Sequence, residues 1–367
     1  MSSAHSQKTY RAIGLMSGTS LDGIDVALIE TDGVSHVKPV AFSYSAYDET
    51  LRAQIRACFG ARVKTPATTD AEHALTMAHV RAVKDFMAAH NLTAKDIDLI
   101  GFHGQTITHD PANGLTWQLG DGELLARETG IDVVYDFRTA DVAAGGQGAP
   151  LIPIYHWARV QSSGVPTPVA ILNIGGVSNV TWLGQADGDV LAFDCGAGNA
   201  LIDDVVLKAT GARFDTDGKL AKSGKVDDAK LREWLSHPYF KTLPPKSLDR
   251  DAWNTRMDDA MPLADKVATL TAFTVGAIVK AADHFPAPAK LWYVAGGGRL
   301  NGAMMDGLRT ALNAPVHAVD ALGWNGDAVE AEGFAYLAVR SVLGLPLSFP
   351  TTTGCPAPQI GGKIVKS

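Results

Sequence analysis

Apolar residues from Ile13 to Met16 precede a Gly/Ser/Thr stretch, and Ile24, Val26 and Leu28 then recur at a period of two. This pattern predicts a buried strand, a turn and a returning strand with one apolar face. Ser17 to Ser20 supply a run of backbone N–H and hydroxyl donors at the turn, and a third short apolar run follows at Val40 to Phe42. From Thr69 to His90 the period changes, with Leu75, Ala78, Ala82 and Phe86 on one helical stripe and Thr69 and Asp70 as caps. Asp98 to Phe102 reads as a buried strand that delivers His103 to His109 to its C-terminal end. Leu124 to Gly130 reads as a short helix ended by glycine, and Ile131 to Tyr135 as another strand, giving the order βββαβαβ. Asp136 to Pro153 has no period and many small residues, which predicts a crossing between two lobes.

The second half repeats the plan. Val169 to Ile174 and Val177 to Trp182 predict two strands around a turn at Gly175 and Gly176, and Val190 to Phe193 a third strand. Asp194-Cys-Gly-Ala-Gly-Asn199 follows it, before a helix from Ala200 to Lys208. Leu291 to Ala295 predicts a strand broken by Gly296, Gly297 and Gly298, then a helix from Gly302 to Leu312, a strand from Val316 to Val319 and a helix from Asp327 to Leu343. Two glycine hairpins opening two halves indicate an internal duplication. The polar segment from Phe214 to Asp251 reads as an insertion on the second half, with no role assigned by its pattern.

Length and charge narrow the picture. At 367 residues the chain exceeds one ordinary core, so we expect two lobes and an interlobe cleft. The expected division is 1–140 for the first lobe, which the tail 345–367 can join, and 141–344 for the second. A net charge of −7 with no basic cluster argues against a nucleic-acid partner or an anionic membrane surface. No apolar run reaches transmembrane length, and Met1 to Arg11 lacks a signal core, which predicts a cytoplasmic protein. Cys58, Cys195 and Cys355 are odd in number and widely spaced, as suits a reducing compartment.

Four small-residue turns sit after apolar strands, around Gly18, Gly175, Gly196 and Gly296, and all four are candidate phosphate or nucleotide contacts. The first, Gly18-Thr19-Ser20-Leu21-Asp22-Gly23, lacks the lysine and following helix of a Walker loop. It can be an ordinary β-turn, or a nest of amides for an anion with Asp22 holding a metal ion against the same phosphates. Asp194 beside Gly196 and Gly198 is a second carboxylate at such a turn, so the pair can hold Mg²⁺ on ATP, or one can accept a proton. The Gly296 turn opens a helix and suits a ribose or α-phosphate. It imitates a dinucleotide fingerprint, but Asn301 stands where a third small residue should pack.

Taken together, the order of turns across a duplicated chain resembles the actin-like ATPase superfamily of sugar kinases, Hsp70 chaperones and actin, which implies two ribonuclease H-like lobes of mixed sheet and flanking helices. Within it, Gly14-Leu-Met-Ser-Gly-Thr-Ser-Leu-Asp-Gly-Ile-Asp25, His103-Gly-Gln-Thr106, Asp141-Val-Ala-Ala-Gly-Gly-Gln-Gly-Ala-Pro-Leu151, Asn173-Ile-Gly-Gly-Val-Ser-Asn179 and Phe193-Asp-Cys-Gly-Ala-Gly-Asn199 resemble the anhydro-N-acetylmuramic acid kinase family. The resemblance implies ATP-dependent ring opening and phosphorylation of an anhydro amino sugar in cell-wall recycling, with Mg²⁺ and a homodimer. It implies Asp194 as general base, Gly18 to Asp25 as ATP-binding, and Gln105, Thr106 and Glu332 near the sugar. The bland reading of Glu332, mid-helix beside Gly333, is solvent exposure. Rival readings are a kinase of another sugar and an actin-like or chaperone-like ATPase, which substrate dependence separates.

Overall fold

In the structure, a computed structural model describing residues 8–186, 188–248, 253, 255 and 257–367, the chain forms two units. One comprises residues up to 164 together with 328–367, and the other 165–327. In chain order the first unit begins with β1 (Tyr10–Ser17), β2 (Gly23–Thr31), β3 (Val37–Ala46), α1 (Glu49–Arg56) and α2 (Pro66–Ala89). It continues through β4 (Leu99–Asp110), β5 (Leu115–Leu119), α3 (Gly122–Thr129), β6 (Val133–Tyr135), α4 (Thr139–Ala143) and α5 (Pro153–Ser163). The second unit holds β7 (Val169–Ile174), β8 (Val177–Leu183), β9 (Val190–Ala197), α6 (Ala200–Thr210), α7 (Lys219–Ser223) and α8 (Asp228–Leu235). It also holds α9 (Leu263–Ala282), β10 (Leu291–Ala295), α10 (Gly302–Ala311) and β11 (Val316–Ala318). The chain then returns to the first unit as α11 (Val329–Val342) and β12 (Lys363–Val365).

The duplication expected from the sequence is visible in the strand order. The first sheet runs β12-β6-β4-β1-β2-β3 with β5 beside β4, and the second runs β11-β10-β7-β8-β9. In each, three antiparallel strands form a meander, and the next strands add in parallel on the far side of the first. Both are the mixed-sheet α/β arrangement expected of actin-like lobes. In the first unit, α2 packs Leu75, Val83 and Phe86 with Ile13, Val26 and Ile100 of the sheet. In the second, Val267, Phe273 and Ile278 of α9 join Leu172, Phe193 and Val294.

Several expectations shift. The unit boundaries fall at 164/165 and 327/328 rather than at 140 and 344, because α5 and α11 lie with the first sheet's side of the chain. The start of α2 is capped by Thr65, which accepts from the Thr68 N–H with Pro66 in the first turn, and not by Thr69 or Asp70. His103 to His109 do not follow a strand but continue one, paired with β5 in a hairpin the pattern did not show. Likewise Asp194 lies inside β9, opposite Asn179. The Phe214 to Asp251 segment carries α7 and α8, while 249–251 lie outside the described residues, as do 1–7.

Candidate active site

The first glycine turn joins β1 to β2. Leu21 N–H donates to the Gly18 carbonyl at 3.1 Å, and Leu21 adopts φ 57°, a left-handed conformation unusual for a bulky residue. Its side chain, 1% exposed, is anchored in the core, while Arg52 Nε of α1 donates to its carbonyl at 2.8 Å. The Asp22 carbonyl accepts from Tyr44 Oη at 2.8 Å and Tyr47 N–H at 3.0 Å. With its backbone so fixed, the turn leaves Thr19, Ser20 and Asp22 exposed, and Ser20 Oγ donates to Asp22 Oδ1 at 2.7 Å. Gly23 and Asp25 lie in β2 itself, paired with Ala46 and Tyr44.

Beneath the turn runs a buried chain of hydroxyls. Tyr47 Oη donates to Ser17 Oγ at 2.7 Å, and Ser17 Oγ donates to Gln105 Oε1 at 2.6 Å. Gln105 is 0% exposed, and its amide nitrogen donates to the Thr106 carbonyl at 3.3 Å. Gln105 ties β4 to the base of the turn through Ser17. Thr106 is half-buried, and its hydroxyl accepts from Gln118 Nε2 of β5. Glu332 corrects the reading of solvent exposure, since it is 2% exposed and its carboxylate takes Arg159 Nη1 at 2.7 Å and the Tyr155 hydroxyl.

A polar cluster that the sequence did not single out lies around His103. Its Nδ1–H donates to the Gly104 carbonyl, so Nε2 is the acceptor for Arg138 Nε at 3.1 Å and Nη2 at 2.9 Å. Burial and the adjacent guanidinium hold His103 neutral, well below its ordinary value. Arg138 also donates to the Gly148 carbonyl at 2.7 Å, so the His103 ring and this carbonyl meet it as neutral acceptors. Burial lowers it to about 10, which leaves it charged at neutral pH, and the nearest opposing influence is Glu330, itself pushed up by burial. His103 lines a cavity of about 220 Å³ together with Phe102, Trp117, Gln118, Tyr135, Asp136 and Thr139. The sequence signal for Arg138 was its place just after β6, where loops of α/β sheets collect ligand contacts.

In the second unit the glycine turns come together. Asn199 N–H donates to the Gly175 carbonyl at 2.7 Å, Gly198 N–H to the Gly176 carbonyl at 3.0 Å, and Asn199 Nδ2 to Ile174 O at 3.0 Å. The Gly296 turn leaves β10 beside Ile174, with Gly296 at φ 72°, where a side chain would also strike Asn173. Arg299 of the short turn Gly297–Leu300 holds the Gly296 carbonyl at 3.1 Å and is paired with Asp327 at 2.8 Å. The Gly175, Gly198 and Gly296 turns therefore share one end of β7 and β10.

Asp194 is half-buried in β9 and held on three atoms. Its N–H donates to Lys246 O at 3.0 Å, its carbonyl accepts from Tyr239 Oη at 2.6 Å, and Oδ2 accepts from Leu248 N–H at 2.7 Å. Burial raises the carboxyl to about 7, opposed by the Leu248 N–H. A carboxylate that changes charge near neutrality is suited to take a proton and return it. Among the described residues, no cluster of three or more His, Cys, Asp or Glu forms a metal cage. No helix of the described residues is long and apolar enough to cross a membrane.

The model of the family described as anhydro-N-acetylmuramic acid kinase matches residues 10–367. A protein of that name from Rhizorhabdus wittichii is 51% identical over 357 residues, covering 96% of this chain and 97% of its own. Another of that name, from Paramagnetospirillum magneticum, is 51% identical over 355 residues, covering 96% and 98%. Among solved structures, the Acidaminococcus fermentans (R)-2-hydroxyglutaryl-CoA dehydratase component A covers 91% of this chain and 99% of its own at 14% identity, with a TM-score of 0.48.

Proposed function

Because the chain belongs to the anhydro-N-acetylmuramic acid kinase family, we propose the following course for the reaction it catalyses and the residues that carry it. ATP, water and 1,6-anhydro-N-acetylmuramic acid give ADP and N-acetylmuramic acid 6-phosphate, a step of cell-wall recycling. Asp194 takes a proton from the water that attacks the anomeric carbon. The bond from that carbon to O6 breaks, and O6 forms a new bond to the γ-phosphorus as ADP leaves. The observation that carries this assignment is the half-buried Asp194 carboxyl, raised to about 7 by burial and held at Oδ2 by the Leu248 N–H.

The backbone amides of Gly18, Thr19 and Ser20 and the hydroxyl of exposed Thr19 take the β- and γ-phosphates, with Leu21 holding the turn's shape. Mg²⁺ binds by one or two carboxylates plus phosphate and water, and exposed Asp22 with one oxygen on Ser20 fits such a single-carboxylate hold. When bound, it neutralises charge on the transferring phosphoryl group. The Gly175, Gly176, Gly198 and Gly296 to Gly298 backbone accepts the nucleoside end, the first three being bonded to one another or to Asn199. What supports Arg138 as partner of the sugar's lactyl carboxylate is its charged guanidinium on neutral acceptors, one of which, His103, lines a cavity of about 220 Å³. The resemblance adds the expectation of a homodimer and the sequence pattern that of a cytoplasmic location, which light scattering and cell fractionation test.

Mass spectrometry of anhydro-N-acetylmuramic acid incubated with the protein, Mg²⁺ and ATP tests the reaction. A product that gains a phosphoryl group and a water supports it. Phosphoryl gain alone makes this an ordinary sugar kinase, and ATP turnover without sugar makes it an actin-like module. Asp194→Asn should lower kcat at least 100-fold, the usual scale of a general base, while isothermal titration finds ATP affinity unchanged.

A further inference from the structure

Residues 238–248, part of a segment that sequence reading left without a role, lie against β9 at Asp194. Pro238–Lys241 forms one 3₁₀ turn, and the chain then runs back past Asp194. Three of its residues meet the three polar atoms of Asp194 described above: Tyr239, Lys246 and Leu248. Lys246 is 8% exposed, and among the described residues its ammonium meets no carboxylate. It donates to Tyr239 O at 3.0 Å, lies 4.6 Å from the Tyr239 ring centroid and 5.6 Å from that of Phe193, and stands 3.4 Å from His284 Nε2. A buried lysine used this way locks the segment closed on itself and against the strand that bears Asp194.

Resting on the reading of Asp194 as the base, we propose that residues 238–248 are a positioning strap for it, acting through the backbone N–H of Leu248. A donor aimed at one carboxylate oxygen fixes the plane of the carboxyl and leaves Oδ1 to meet the proton. It also stabilises the charged form against the burial that disfavours it, so the group ionises near neutrality instead of well above it. Among the described residues, the other titratable groups around the site are Cys195 in β9, Tyr239 and Lys246 in the strap, and His284 behind Lys246. The thiol and the phenol are both pushed up by burial and are neutral at pH 7, so neither supplies the charge or the hydrogen bond that Leu248 does.

Leu248→Pro removes this N–H and keeps an apolar side chain, whereas Leu248→Ala trims the side chain and keeps the N–H. In the pH dependence of kcat/KM, Leu248→Pro should move the acid limb up by about one to two pH units, the span expected of one hydrogen bond to a charged group. The rate should recover on an alkaline plateau, and Leu248→Ala should keep the wild-type limb. If Leu248→Pro does not fold, an ester in place of the 247–248 amide, made with the α-hydroxy analogue of leucine, gives the same readout. An unmoved limb in the folded proline or ester variant, or an equal shift in Leu248→Ala, overturns the strap. Substantial activity in Asp194→Asn overturns the base itself, a failure distinguishable from the first.

Discussion

At Asp194 burial and one hydrogen bond pull in opposite directions, and burial wins, leaving the carboxyl at about 7 instead of in the usual carboxylate range. Two consequences have definite signs. The base is ionised above that value, so kcat/KM should fall about tenfold per pH unit below it, as a pH–rate profile will read. The folded state holds a proton that the unfolded chain releases near pH 4, so this group's contribution to stability is complete below that pH. It is lost as pH rises to about 7, a trend that denaturant midpoints in wild type and Asp194→Asn will separate. Asp194 was legible in the sequence because a carboxylate beside two glycines after an apolar run is rare. Leu248 was not, since any residue but proline supplies the same N–H, and 54 positions separate the partners. Gln105 and Glu332 were legible as polar residues in informative places, but burial decides what a polar side chain does, and the pattern carries no record of the partner that waits for it.

Among the elements, α11 shows how closely a helix can lie on a sheet. Gly14 of β1 and Gly101 of β4 face it, and a β-carbon at either would overlap the backbone carbonyl of Ala331 or Phe334. Gly101→Ala therefore forces the helix away along its whole buried face and should cost several kcal/mol, as overpacking against backbone does, measured by urea midpoint. The phosphate turn depends on its neighbours in the same way. Tyr47→Phe deletes the donor to Ser17 in a site 6% exposed, so Ser17 loses its fixed hydroxyl direction and the turn its support from below. We expect KM for ATP to rise about tenfold with KM for the sugar little changed, since about 1–1.5 kcal/mol is the worth of one such bond. The β-meanders and α2 were readable because each buries a single face. By contrast α9 was missed because Val267, Ala268, Thr269, Leu270 and Thr271 are all buried in succession, so no stripe marks it as a helix. The β4–β5 hairpin was missed because its strand crosses from core to polar residues without a break in its backbone.

Across the whole molecule, the same strand order occurs twice, and that repetition was legible as paired glycine hairpins. The boundaries were not, because they depend on which sheet a helix packs against and not on any change in composition. The first unit is built from both sides of the second in sequence: α5 is its last helix before residue 165, and α11 its first after 327. Arg159 and Glu332 join these two helices through an ion pair whose side chains are 6% and 3% exposed. Arg159→Met strands a buried carboxylate and should cost about 3–5 kcal/mol, lowering the melting temperature on the order of 10 °C by calorimetry. Because the unit is split in this way, its helix-facing surface at Gly14 and Gly101 is complete in sequence long before the helix that covers it exists. A ribosome must first translate the intervening residues 165–327, on the order of ten seconds of synthesis. Throughout that interval the early strands stand uncovered, while the second unit, continuous in sequence, has every strand of its own sheet by the interval's end, before α11 is made. The last-translated unit to begin is thus the first able to finish, and chaperone occupancy on nascent chains should peak over the oldest part of the polypeptide.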